Sequence, residues 1–197
     1  MAKAKRRSPL TGLELILHAL EFAAHKHRDQ RRKDVHASPY INHPIALANV
    51  LVNEAGVNDP EIICAALLHD TIEDTETTPQ ELLREFGKNI RDIVLEVTDD
   101  KDLPKVERKR LQIEHAANAS HKAKLVKLAD KICNLRDIAV SPPATWGLER
   151  QQDYFEWAKQ VIDRVRGANP RLEAAFDRAY ARRPKKALAT EGTERSK

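Results

Sequence analysis

Between residues 69 and 74 the chain sets His69, Asp70, Glu73 and Asp74 directly after seven unbroken apolar residues, Ile62 to Leu68. Imidazole and carboxylate groups at that density can ligate a metal ion or move protons. Two more groups of the same kind stand far away in sequence: His43, 26 residues before His69, and Asp130, 60 residues after Asp70. Each has a plain structural explanation when taken alone. His43 precedes Pro44 and can cap a helix, and His69 and Asp70 can end one in a salt bridge. Asp130 lies among Leu128, Ala129 and Ile132, where a carboxylate must be exposed, paired or bound to a cation. Together the four form the pattern H…HD…D. Two imidazoles and two carboxylates suit Mn²⁺, Fe²⁺ or Zn²⁺, and the oxygen share favours the harder ion. Four ligands leave positions open on a six-coordinate cation, which hydrolysis needs because coordination brings the pKa of a water toward neutrality.

Glu73 is four residues after His69 and three after Asp70. If one helical turn runs through, it shares their face and can accept a proton from water or orient it, with Asp74 beside it; the alternative is an acidic loop leading into the next helix. Asn134 is one turn beyond Asp130 and can hydrogen-bond a ligand above the metal, or pack as an ordinary polar side chain. Arg32 and Lys33, in "QRRKD", lie shortly before His43 and can hold a phosphate or stack on a base; a solvated charge run is the plainer reading. His115 and His121, in polar context between the HD pair and Asp130, are candidates for a second metal.

The elements that must position these groups read as helices throughout. "SPLTGLELILHALEFAAH" opens with a Ser cap and Pro at the first helical position, and Leu13, Ile16, Leu17 and Leu20 follow the helical apolar spacing. Pro44 opens "PIALANVLVNEAG", which Gly56 closes. Asp59-Pro60 opens "EIICAALL", apolar all round and therefore a buried helix that delivers His69 and Asp70. "TPQELLREFG" carries a capping box, Thr78 with Glu81, and ends at Gly87. "NIRDIVLEVT", "KVERKRLQIEHAA", "KAKLVKLADKICNLRDIAV", "LERQQDYFEWAKQVIDRVRG" and "RLEAAFDRAYARR" complete the set. No segment alternates as a sheet strand does. The expectation is an all-α fold, one helical bundle over residues 8–182, with disordered tails at 1–7 and 183–197.

Composition narrows the function further. Of 197 residues 41% are hydrophobic and 32% charged, with a formal charge of +4. No apolar run approaches the ~20 residues of a membrane span, and no signal sequence is visible, so the chain reads as cytoplasmic. Cys64 and Cys133 lie among apolar residues and read as reduced core side chains. Aromatics are only 5%, which argues against a base-stacking nucleic-acid surface. Among the glycines there is no phosphate-binding loop of the GxGxxG or GxxxxGK[ST] kind, so bound phosphates must be held by a metal and by Lys or Arg.

The segments "HRDQRRKD", "SPYINHP", "AALLHDTIEDT", "EVTDDKDLPKVERKRLQIE", "AKLVKLADKICNLRD" and "DYFEWAKQV" together resemble the HD-domain small alarmone hydrolases. These are stand-alone relatives of the hydrolase domain of the RelA/SpoT proteins, of the metazoan SpoT-homolog type. The resemblance implies an HD-domain helical bundle that binds one Mn²⁺ through His43, His69, Asp70 and Asp130, with Zn²⁺ or Fe²⁺ as substitutes. It implies Glu73 and Asp74 as the groups that activate and position water, Arg32 and Lys33 against the nucleobase, and Asn134 near ribose and metal. It sets Lys105, Arg150 and Tyr154 along the phosphates. One departure is "DVHAS" between Lys33 and Pro39, where many relatives carry a Gly-containing turn. The implied activity is removal of the 3′-pyrophosphate of (p)ppGpp or (p)ppApp, nucleotides of the stringent response. The rivals are an HD phosphatase acting on NADPH or another nucleotide, and a non-catalytic nucleotide-binding module. The implied partner is a small nucleotide, with no nucleic acid and no membrane. The sequence does not fix the oligomeric state, a homodimer included.

Overall fold

The computed structural model describes residues 11–185. Both expected tails fall wholly or mostly outside that range. Arg183 and Pro184, at its end, contact Glu156 at 2.8 Å and Gln152 at 2.9 Å.

Among the described residues the fold is all-α, with one isolated β-bridge between Arg31 and Pro39. The first helix, α1 (Gly12–Lys26), starts where Thr11 and Glu14 exchange capping bonds; the expected Ser8-Pro9 start lies outside the described residues. Its apolar face differs from the expected one. Ala19 and Ala23 are fully buried while Leu13 and Leu17 are exposed, because the small residues let α1 approach its neighbour closely.

That neighbour is α3 (Pro60–Leu68), capped by Asp59, which accepts the Glu61 N–H at 2.9 Å. Every residue from Ile62 to Leu68 is buried. α3 is surrounded by α1, α2 (Asn42–Asn49), α5 (Pro79–Val97) and α7 (His121–Val140), which is why its sequence has no polar face. α2 begins two residues ahead of Pro44. It runs into a π turn at Val50–Glu54, in which the Ala55 N–H reaches back to the Val50 carbonyl. Gly56 ends the segment at φ 72°.

A short α4 (Thr71–Asp74) follows α3 after a break at His69-Asp70. Helix α5 is two helices joined across a kink at Gly87, whose φ of 81° favours glycine; this matches the separate readings of "TPQELLREFG" and "NIRDIVLEVT". Thr78 caps its start, but the Glu81 side chain turns to Lys26 and does not complete the box. α6 (Lys105–Ala116) packs on α8 (Leu148–Asp163), and α7, capped by Ser120, packs on α9 (Pro170–Tyr180). Cys64 and Cys133 are buried and unpaired. No described helix is long and apolar enough to cross a membrane.

Candidate metal centre and nucleotide cleft

Three separate elements deliver the H…HD…D groups: His43 from the first turn of α2, His69 and Asp70 from the end of α3, and Asp130 from the middle of α7. One ligand atom from each of His43, His69 and Asp130 lies within 4.8 Å of the others. His43 Nε2 is 3.2 Å from Asp130 Oδ1, and His69 Nε2 is 4.0 Å from the same oxygen. Asp70 Oδ2 stands 2.9 Å from His69 Nε2. Both histidines are buried, and burial presses the His43 pKa down, which leaves a neutral imidazole. His69 Nδ1 bonds the Ala66 carbonyl at 2.8 Å, which fixes the proton on that nitrogen and turns Nε2 inward. There His69 Nε2 is buried, and although Asp70 Oδ2 is close, their alignment makes no proper hydrogen bond. An orphaned ring nitrogen facing two carboxylates fits a divalent cation.

The surroundings hold these ligands still. Burial alone would raise the Asp130 pKa. Lys131, 2.8 Å from Oδ2, and His43 override it and keep the carboxyl well below its ordinary range. Asn134 donates to Asp130 Oδ1 at 2.6 Å, so it sits at the candidate ligand itself. The Tyr40 hydroxyl donates to Asp70 Oδ2 at 2.5 Å and lies 3.2 Å from Asp74 Oδ2.

Glu73 lines the same cavity although the helix breaks before it, because α4 restores the turn. Its Oε2 accepts the Asp99 N–H at 3.2 Å, and Arg108 lies 3.7 Å from Oε1. Burial, then the charges of Asp70 and Asp99, push its pKa up to about 7. A carboxyl poised there can take and release a proton at neutral pH. Asp74 is engaged differently: Lys101 pairs with its side chain, and Gln30 bonds its carbonyl.

The metal cavity, about 230 Å³, opens on both sides. One side leads to a space of about 460 Å³ lined by Arg32, Lys33, Asn134, Ile138, Trp146 and Tyr154. Arg32 is held there by Asp137 at 2.6 Å and lies over the Tyr40 ring. The loop bearing it is folded back by the Arg32 N–H to Ser38 carbonyl bond, and Ala37 within it has φ 47°. That is the place where the sequence departs from a Gly-containing turn. The other side leads to about 260 Å³ lined by Lys105, Arg108, Lys109, Arg150, Tyr154 and Trp157. Arg150 lies 4.5 Å from the Trp146 ring, and Lys109 4.9 Å from that of Trp157. Burial, and then the charges of Arg150, Lys33 and Arg108, lower the Lys105 pKa. Tyr154 lines all three spaces.

Each residue singled out in the sequence therefore borders one connected cleft, except His115 and His121. Both are exposed and belong to no metal-ligating group among the described residues. Sequence reasoning missed Tyr40, Lys109, Trp146, Trp157 and the buried pair Lys127 and Lys131. The lysines carried the same signal as Asp130: a charge inside an apolar helical pattern, here four residues apart on α7.

An all-helical bundle whose metal-ligating groups come from an H…HD…D pattern defines a class, and the HD domain family matches residues 19–154. The chain belongs to that family. Within it, the chain is 55% identical over 166 residues to the guanosine-3′,5′-bis(diphosphate) 3′-pyrophosphohydrolase MESH1 of Xenopus tropicalis, covering 84% of this chain and 93% of that one. It is 49% identical to MESH1 of Drosophila melanogaster, over 85% of this chain and 94% of that one. A solved structure described as a metazoan ortholog of SpoT that hydrolyzes ppGpp superposes with a TM-score of 0.84. That pair is 47% identical, over 91% of this chain and 98% of the other.

Proposed function

We propose that the chain is a metal-dependent 3′-pyrophosphohydrolase of (p)ppGpp or (p)ppApp, as the activity of its MESH1 relatives suggests. The observation that carries this reading is the adjacency of the two-histidine, two-aspartate cluster to a cationic lobe on one side and the Arg32/Lys33 lobe on the other. A nucleotide with phosphates at both 3′ and 5′ positions needs three such regions.

His43, His69, Asp70 and Asp130 hold the cation, for which Mn²⁺ is the first choice and Zn²⁺ or Fe²⁺ the substitutes. When bound, the cation supplies Lewis acidity toward phosphate and water. Arg32 and Lys33 face the base, Asn134 holds the ribose next to the metal ligands, and Lys105, Arg150 and Tyr154 bind the second phosphate chain. Glu73 receives a proton from the attacking water, and Asp74, fixed by Tyr40 and Lys101, orients that water. The neighbouring cations offset charge that builds up at phosphorus. We also assign the chain to the cytoplasm.

The test is chromatographic analysis of Mn²⁺-supplemented protein incubated with ppGpp, ppApp and NADPH side by side. Release of pyrophosphate from either of the first two, arrested by EDTA, is expected. Loss of phosphate from NADPH alone would shift the assignment to a nucleotide phosphatase. Binding of ppGpp without consumption would make the chain a nucleotide-binding module.

A further inference from the structure

Lys127 has no role in the scheme so far, yet its position is unusual. It is 8% exposed, and its ammonium makes no hydrogen bond or ion pair with any described residue. Its side chain lines the metal cavity and a smaller adjoining space of about 180 Å³. Burial, then the charge of Lys131, lower its pKa to about 8, so it is still mostly an ammonium at neutral pH. Glu73, Asp99 and Asp130 face it without touching it. The stem of Lys127 is buried while its ammonium opens into the cavity, where a bound anion can replace water, and the neighbouring cations are already engaged. In the metal cavity Lys131 bonds Asp130 and Arg32 bonds Asp137, and in the adjoining space Arg108 faces Glu73.

Helix α7 orders the cleft. Ile138 and Asn134 border the Arg32/Lys33 lobe, Asp130 belongs to the metal cluster, and Lys127 comes one turn further on the same face. At 1.5 Å per residue, Lys127 lies about 10 Å along the axis from Asn134. A ligand with its sugar at Asn134 and its first phosphate at Asp130 sends a second phosphate toward Lys127. A monophosphate stops short of it.

We propose that Lys127 is a specificity-determining residue: its ammonium receives the terminal phosphate of the ligand's 3′-diphosphate and so selects diphosphate over monophosphate esters. This rests on the reading of the cleft given above. In the reaction, water adds to the phosphorus bonded to O3′ and the P–O3′ bond breaks. The water oxygen departs in pyrophosphate, and O3′ takes up a proton. Lys127 forms no covalent bond and keeps its protons.

The experiment compares wild type, Lys127→Met and Lys127→Arg, all supplied with Mn²⁺. Two constants are read: kcat/KM for guanosine 5′-diphosphate 3′-diphosphate, and the competition constant of the 3′-monophosphate form, which is readable whether or not that form is cleaved. Lys127→Met is expected to lower kcat/KM by about 10- to 100-fold, the range for one charge-assisted hydrogen bond. The competition constant should stay within about threefold, and Lys127→Arg should keep part of the rate. Calorimetric titration of inorganic pyrophosphate into the Mn²⁺-loaded proteins should show the same loss of affinity in Lys127→Met. Equal losses on both nucleotides, no loss on either, or a lower melting temperature in Lys127→Met would overturn the assignment, the last by marking Lys127 as a structural group. If wild type consumes no diphosphate, the proposed activity fails first, and the pyrophosphate titration still decides the role of Lys127.

Discussion

Glu73 offers a quantitative check on the electrostatics of the site. In the metal-free protein its pKa rises from an ordinary 4.5 to about 7, mainly through burial, with Asp70 and Asp99 adding to it. A raised carboxyl means that the folded state holds the proton more tightly than the unfolded state. The resulting stability is fully present below pH 4.5 and is lost as the pH climbs through 7. Glutamine at this position keeps the shape and never ionises. Relative to wild type, Glu73→Gln should therefore gain stability with rising pH. With 1.36 kcal/mol per pH unit over the interval in which only the unfolded state is ionised, the gain between pH 5 and pH 8 is about 2.5 kcal/mol at most. Urea denaturation of both proteins in EDTA at pH 5, 6, 7 and 8 measures it. A difference independent of pH, or one that grows as the pH falls, would refute the reasoning, because it would mean that Asp70, Asp99 and burial do not act on this carboxyl as the geometry says. The same variant should lose nucleotide hydrolysis at every pH, since its amide cannot take a proton from water.

Asp70→Ala should abolish metal-dependent hydrolysis and also the rise in melting temperature on adding Mn²⁺; undiminished turnover would sink the assignment of the metal centre. Tyr40→Phe removes the hydroxyl that joins Asp70 to Asp74, and should weaken Mn²⁺ binding about 10-fold in a calorimetric titration while leaving the helical content unchanged. Gly87→Ala meets nothing within 4 Å, so its cost is conformational alone. Denaturation should show a loss of about 1–3 kcal/mol, since this backbone conformation is essentially reserved for glycine, with turnover unaltered.

The helices were legible because their signals were redundant. α3 had a Pro start, an Asp cap and an unbroken apolar stretch, and Gly87 announced a break that the backbone makes. Where one signal stood alone, reading was less secure. In α1 the leucine spacing pointed to a face that is in fact half exposed, because the close contact with α3 is made by Ala19 and Ala23, and alanine gives little pattern. The four metal-ligating candidates were legible as residue types out of place in apolar surroundings. The grouping of three of them within 4.8 Å of one another was not, since it depends on how α2, α3 and α7 meet. Tyr40 shows the limit most clearly: nothing in "SPYINHP" says that its hydroxyl lies between two aspartates 30 and 34 residues away.

The π turn at Val50–Glu54 has a consequence for the length of the chain. Such a turn accommodates one residue more than an α-helix does over the same span. Removal of exposed Asn53 lets the segment close as a plain helix, with Leu51 and Ala55 still turned to the core and Glu54 still within reach of Arg136, which it now binds at 2.6 and 2.8 Å. In α3 the same deletion would swing every later side chain by about 100° and pull His69 and Asp70 off the cation. Between His43 and His69, then, sequences of this fold can differ by one residue at Val50–Glu54 and keep their metal ligands in register.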